Sequence, residues 1–230
     1  MLRARYAMAI AMAIAMAGNA FAAGGAYVVD DAGIVPPGEC QVESWAAFAD
    51  DSGRVFTAQP SCTAAALPMV EFAVLPVRQH LDGLWSTVIG AQAKAAILPT
   101  ARGRIGAGPT FGAQYDTTVD RMSRYYVNLP VTVMPTESIA LNFNVGWSRD
   151  ALTEEDFATW GAGAEWAITP RVMVIGEVFG RDRGRAGWQL GPRVSLFDAP
   201  IDIDLILGRN VTFTPATWFT FGVTFPFPGF

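Results

Sequence analysis

Apolar and polar side chains alternate with a period of two from Cys40 to Phe230, and this constrains the fold more than any other feature. Ser138–Trp147 shows the pattern plainly. Ile139, Leu141, Phe143, Val145 and Trp147 share one face, and Ala140, Asn142, Asn144 and Gly146 share the other. Such a strand turns one face to an apolar medium and the other to a polar one. Nearly every strand-like segment does the same, and no stretch of helical period exists to cover the apolar faces. A closed barrel with lipid outside and a polar interior satisfies this pattern, because closure leaves no sheet edge unpaired in the membrane. The expected fold class is all-β: an antiparallel transmembrane β-barrel of about 12 strands with both ends periplasmic.

Residues 1–22 read as a signal peptide. Arg3 and Arg5 make a positive start, and Tyr6–Met16 is apolar but too short to span a bilayer. Ala20-Phe21-Ala22 then offers small residues at the two positions a signal peptidase requires, so cleavage is expected after Ala22. A membrane anchor or a buried helix is the alternative. A periplasmic N-terminal segment, 23–37, precedes the barrel, 38–230. Whether 23–37 stays a periplasmic tail or folds into the barrel as a plug is left open.

Hydrophobic residues make up 51% of the chain and charged residues 16%, below the roughly 25% usual for soluble domains. Yet no run of about 18 apolar residues follows the signal, which excludes transmembrane helices. The net charge of −5 and the lack of a basic patch argue against nucleic acid. A soluble sandwich or lipocalin-like barrel also alternates, but would face its polar residues outward and carry more lysine than the single Lys94.

Turn residues divide the chain into twelve candidate strands: 38–49, 54–65, 69–79, 85–98, 104–116, 123–134, 138–149, 156–168, 171–181, 186–197, 201–209 and 217–227. Connections after the even-numbered strands are short, as periplasmic turns are. The others, such as Asp50–Gly53, Arg149–Asp156 and Asn210–Ala216, are longer or more charged, as outer loops are.

Parity assigns Phe111, Leu129, Val145, Trp166, Leu190, Leu205 and Phe221 to the lipid face, with aromatics towards strand ends as girdles. The opposite parity collects Glu43, Glu71, Glu165, Glu177, Asp202 and Asp204, then Lys94, Arg104, Arg124 and Arg193, with Asn142, Asn144 and Gln189 between them. A charge facing lipid at the midplane costs on the order of 2–4 kcal/mol, so these thirteen are expected inside. They form either an ion-pair network filling a narrow barrel or the wall of a solute path. Glu177 with Arg193, and Arg193 with Asp202 or Asp204, are the expected neighbouring-strand pairs.

Cys40 and Cys62 lie symmetrically about Asp51 in the run Asp50-Asp51-Ser52-Gly53, so strands folding back there bring them opposite each other. A cross-strand disulfide is expected in an exported chain, the alternative being two unpaired residues on the lipid side. Catalytic patterns are thin. His80 is the only histidine, no Gly-x-Ser-x-Gly elbow occurs, and Ser86 has the opposite parity to His80. No cofactor is expected. Nor is a metal centre, since Asp202, Asp204 and Glu177 are better read as salt-bridged beside Arg193.

Several short motifs carry a family resemblance. These are Asp30-Asp31-Ala32-Gly33, Pro37-Gly38-Glu39 with Gln41-Val42-Glu43, Thr169-Pro170-Arg171 leading into Gly176-Glu177-Val178, Gly191, Asp202, and Phe221-Gly222-Val223 in the last strand. They resemble outer-membrane β-barrel transporters assigned to the meta-pathway of phenol degradation. Lys94-Ala95-Ala96 departs from that family's usual Lys, aromatic and Arg, and the tail Phe227-Pro228-Gly229-Phe230 interrupts its alternation with prolines. The resemblance implies passage of a small hydrophobic or aromatic solute.

The leading expectation is a monomer in the cell outer membrane that lets such a solute cross. Its partners are outer-membrane lipid, the barrel-assembly machinery and the solute. The alternative is a closed structural or adhesive barrel whose outer loops bind partners, and a lipid-modifying enzyme comes third.

Overall fold

A computed structural model of the chain describes residues 26–229 apart from 51, 82, 101–103, 197–199 and 211–215. The signal peptide expected at 1–22, residues 23–25, Asp51, most of the loop expected at 210–216 and the terminal Phe230 lie outside the described residues.

Thirteen strands follow one another: β1 (Glu39–Ala49), β2 (Arg54–Thr63), β3 (Val70–Leu81), β4 (Leu84–Ala95), β5 (Ile105–Ala107), β6 (Thr110–Asp116), β7 (Arg121–Thr136), β8 (Ile139–Asp150), β9 (Glu155–Thr169), β10 (Val172–Arg181), β11 (Gly187–Leu196), β12 (Ile201–Asn210) and β13 (Ala216–Pro228). Strands β5 and β6 both pair with β7 and together form one barrel strand, interrupted at Gly108-Pro109. A Cβ on residue 108 would lie 1.7 Å from the Ala95 carbonyl oxygen, so only glycine fits at this break. The thirteen segments therefore make twelve barrel strands. Every pairing is antiparallel, and β1 pairs with β13 to close the sheet on itself. The expected all-β barrel of about 12 strands is thus the observed one, with strand limits within three residues of those read from the sequence.

Closure removes the edges that lipid could not satisfy. The far-end turns, opposite the end where β1 begins, are tight. Ser52, Gly83, Asp120, Glu154 and Gly184 each take a left-handed φ between 57° and 93° there. Cys40 and Cys62 face each other in the β1–β2 register with Cα atoms 4.1 Å apart, and the structure joins them in a disulfide.

The outer face follows the sequence parity. Val145, Trp166 and Phe111 are each more than half exposed, as lipid-facing side chains are. Phe56 joins Phe48 and Trp85 in a far-end aromatic band, edge-on to Phe48 at 5.9 Å and stacked on Trp85 at 6.4 Å. Val145 sits mid-strand on this face. Val145→Arg is expected to cost about 2–4 kcal/mol in urea unfolding from lipid vesicles. A cost under about 0.5 kcal/mol would mean that residue 145 does not meet the hydrocarbon.

Candidate functional site

Ten of the thirteen polar residues assigned inward are buried: Glu43, Glu71, Lys94, Asn142, Asn144, Glu165, Glu177, Gln189, Arg193 and Asp204. Asp202 is half-buried and accepts a hydrogen bond from Ser195 Oγ at 2.6 Å. Arg124 is half-buried near the far end. Arg104 is the exception. It precedes β5, is exposed, and donates to the Pro135 carbonyl at 3.0 Å. Period-two counting fails for it because the strand begins one residue later.

The buried groups do not face an empty lumen. Residues 26–37 run through the interior as a strap without regular secondary structure. Wall side chains capture its backbone. Val28 and Val29 N–H donate to the two carboxylate oxygens of Glu177 at 3.0 and 3.3 Å. Asn144 accepts from the Asp30 N–H at 2.9 Å and donates to the Asp30 carbonyl at 2.6 Å. Ala32 N–H donates to Thr132 Oγ1 and Val35 N–H to Glu71 Oε2, at 2.8 and 2.7 Å. Glu177, Asn144 and Glu71 are supplied by β10, β8 and β3, so the strap is held from several sides of the barrel.

Its charges are paired as well. Lys94 Nζ lies 2.8 Å from Asp30 Oδ1 and 3.2 Å from Asp31 Oδ1. The chain's single lysine, on β4, thus fastens the two acidic residues of the strap. A relay extends from Ala32 N–H through the Thr132 hydroxyl to Asn142 and on to the Glu165 carboxylate. Bonds in such a chain polarise and strengthen one another.

Apolar contacts seat the inner part. Tyr27 packs on Ile175 and Ile206, both almost fully buried on the otherwise polar inner face, and the Arg193 guanidinium lies 5.4 Å from its ring centre. Val29 fits a notch in β9. A Cβ at Gly161 would come within 2.7 Å of Val29 Cγ2, and one at Gly163 within 3.4 Å of Val29 Cγ1. Beneath Tyr27, Arg193 grips Asp204 with two parallel bonds, Nε to Oδ1 at 2.8 Å and Nη2 to Oδ2 at 3.0 Å. Of the expected pairs, the structure brings Arg193 to Asp204. Glu177 instead holds the strap and accepts from Gln189 at 2.9 Å.

Sequence parity did not single out Tyr27, Thr132, Ile175, Ile206 or the Gly161 notch. The available signal was aliphatic side chains, Ile175 and Ile206, on a parity otherwise polar.

Candidate catalytic groups are apart. His80 lies at the far rim beside Trp85, while Ser86 accepts from Gln79 on the inner face. Among the described residues, no group of three or more His, Cys, Asp or Glu is placed to hold a metal ion.

The chain belongs to the family described as "Uncharacterised conserved protein UCP029691", whose model matches residues 11–227. None of the curated proteins matches the sequence. Among solved structures, the "KdgM porin" superposes with a TM-score of 0.65 at 11% identity, covering 81% of this chain and 99% of that one. The "NanC porin" gives 0.62 at 8% identity, covering 80% and 98%. A second KdgM structure, "in complex with disordered oligogalacturonate", gives 0.62 at 11% identity, covering 81% and 99%. The fold is that of outer-membrane porins.

Proposed function

We propose that this family member sits in the outer membrane and passes a small solute along its polar interior, with the 26–37 strap closing the path until it is displaced. The near end then faces the periplasm. The observation that carries this reading is how the strap is attached. Among the described residues, no backbone-to-backbone bond ties 26–35 to any strand; the strap is held by wall side chains. Those side chains would remain as a hydrophilic wall once it moved, and the twelve-stranded sheet does not depend on it. The residues proposed to line the path are the buried inward set, from Glu43 and Glu71 through Glu177 to Arg193 and Asp204. A small hydrophobic or aromatic solute, as the family resemblance implies, is the proposed cargo. That a KdgM barrel has been seen with an oligogalacturonate supports passage through this architecture.

A closed adhesive barrel is less well supported, because its partners would be bound by outer loops. The far-end connections here span five residues at most. A lipid-modifying enzyme would need His80 beside a nucleophile, and Ser86 points the other way.

In planar bilayers, the refolded mature protein is expected to stay closed most of the time and to open in brief events. Lys94→Met removes both ion pairs to the strap and should raise the open fraction about tenfold. Flat traces from both proteins would leave the closed structural barrel standing.

A further inference from the structure

The far end of the barrel holds a second feature that the strap does not fill. It is a cavity of about 340 Å³ bounded by the outer parts of β3, β4 and β6–β10. That is within the size range of small-molecule sites. Two arginines reach into it, Arg124 from β7 and Arg181 from β10. Among the described residues neither is in an ion pair; Arg124 is repelled by Arg181 and attracted by Asp150, its neighbour across the β7–β8 register. Two carboxylates share the cavity, each with one oxygen held in a turn. Asp150 Oδ1 accepts from the Leu152 and Thr153 N–H groups at 2.9 and 3.1 Å, and Asp116 Oδ1 accepts from the Thr118 N–H at 2.7 Å. They hold turns with that oxygen and form no ion pair with either arginine, so among the described residues the guanidinium N–H donors in the cavity lack a close carboxylate.

Part of the lining is apolar. Val88 and Phe157 are buried in it, and the Arg181 guanidinium lies 4.4 Å from the Phe157 ring centre, which fixes its direction. A guanidinium held in a half-buried cavity with no acceptor hydrogen-bonded to it costs free energy that an anion joining it recovers. A guanidinium fork offers a carboxylate two parallel bonds. A compact hydrocarbon body would then rest on Phe157 and Val88.

We propose that this cavity is a binding site for a small organic anion, a carboxylate on a short apolar body, gripped by Arg124 and Arg181. Binding here does not require the strap to move, so the site stands or falls independently of the passage reading.

The test is a saturation-transfer NMR titration of the refolded mature protein in detergent micelles. Benzoate serves as the probe, and benzamide as the uncharged molecule of the same shape. Benzoate is expected to bind saturably and benzamide about tenfold more weakly or worse. The double variant Arg124→Gln/Arg181→Gln should weaken benzoate by about tenfold or more, while Arg54→Gln, an exposed far-end arginine outside the cavity, should leave it unchanged. No saturable benzoate binding, equal binding of the two probes, or an undiminished affinity in the double variant would each overturn the proposal. Circular dichroism and heat-modifiable migration check that the double variant is folded.

Discussion

A refolded form that begins at Pro36 is expected to conduct ions continuously in a planar bilayer, where the full mature chain is closed most of the time. Residues 26–35 occupy the interior but take no part in the sheet, whose pairings run from β1 round to β13. Their removal leaves the barrel intact and exposes a wall of Glu71, Lys94, Asn144, Glu177 and Gln189 to water, which can satisfy each of them. Burying Tyr27, Val29 and Val35 contributes about 2 kcal/mol each, less than ordering the strap costs at about 1–2 kcal/mol per residue. The side-chain hydrogen bonds and the Lys94 ion pairs therefore decide whether it stays. Gly161→Leu tests the same point with the strap present. Its side chain would take the volume of Val29, whose Cγ2 lies 2.7 Å from where a Cβ would stand. Most of the conductance gained by truncation should appear in this variant too. If the truncated form refolds, as judged by heat-modifiable migration, and still gives flat traces, the barrel is sealed by its own wall and the strap is not a gate.

How far this was legible in the sequence depended on the length scale of the signal. Strand number and limits came through because lipid imposes one rule on every strand: Val145, Leu190 and Phe221 must face out, so the parity recurs in nearly every strand. The register of Cys40 against Cys62 was legible for a related reason, since a four-residue turn fixes a hairpin's pairing. The interior obeys no such rule. Asn144 and Glu177 look the same in sequence whether they line water or hold a peptide. Only their distances to Asp30, Val28 and Val29 separate the two cases. Ile175 and Ile206 carried a hint, because an aliphatic side chain on a wet face has no reason to be there unless something apolar covers it. That cover is Tyr27, which stands alone between Ala26 and Val28 with no periodic pattern to mark it. Arg104 was misplaced because parity holds only within a strand, and its residue lies one step before β5.

Arg193→Ala should cost about 3–5 kcal/mol of stability, measured by tryptophan fluorescence during urea unfolding from lipid vesicles. Asp204 is 2% exposed, and its two oxygens are held by the Arg193 fork. Truncating the arginine leaves an uncompensated carboxylate in a site sealed from above by Tyr27. The same change removes the guanidinium that lies 5.4 Å from the Tyr27 ring, so the strap should loosen as well and the open fraction should rise. Arg193→Lys keeps the charge but not the two parallel bonds, and its loss should be smaller. Replacing both partners, Arg193→Met with Asp204→Leu, should restore most of the stability, because desolvation of the lone carboxylate is what makes the single change costly. The outcome also locates water in the barrel. A loss below about 1 kcal/mol for Arg193→Ala would mean that solvent reaches Asp204 from the near end, and the sealed region would then have to lie between Tyr27 and Lys94.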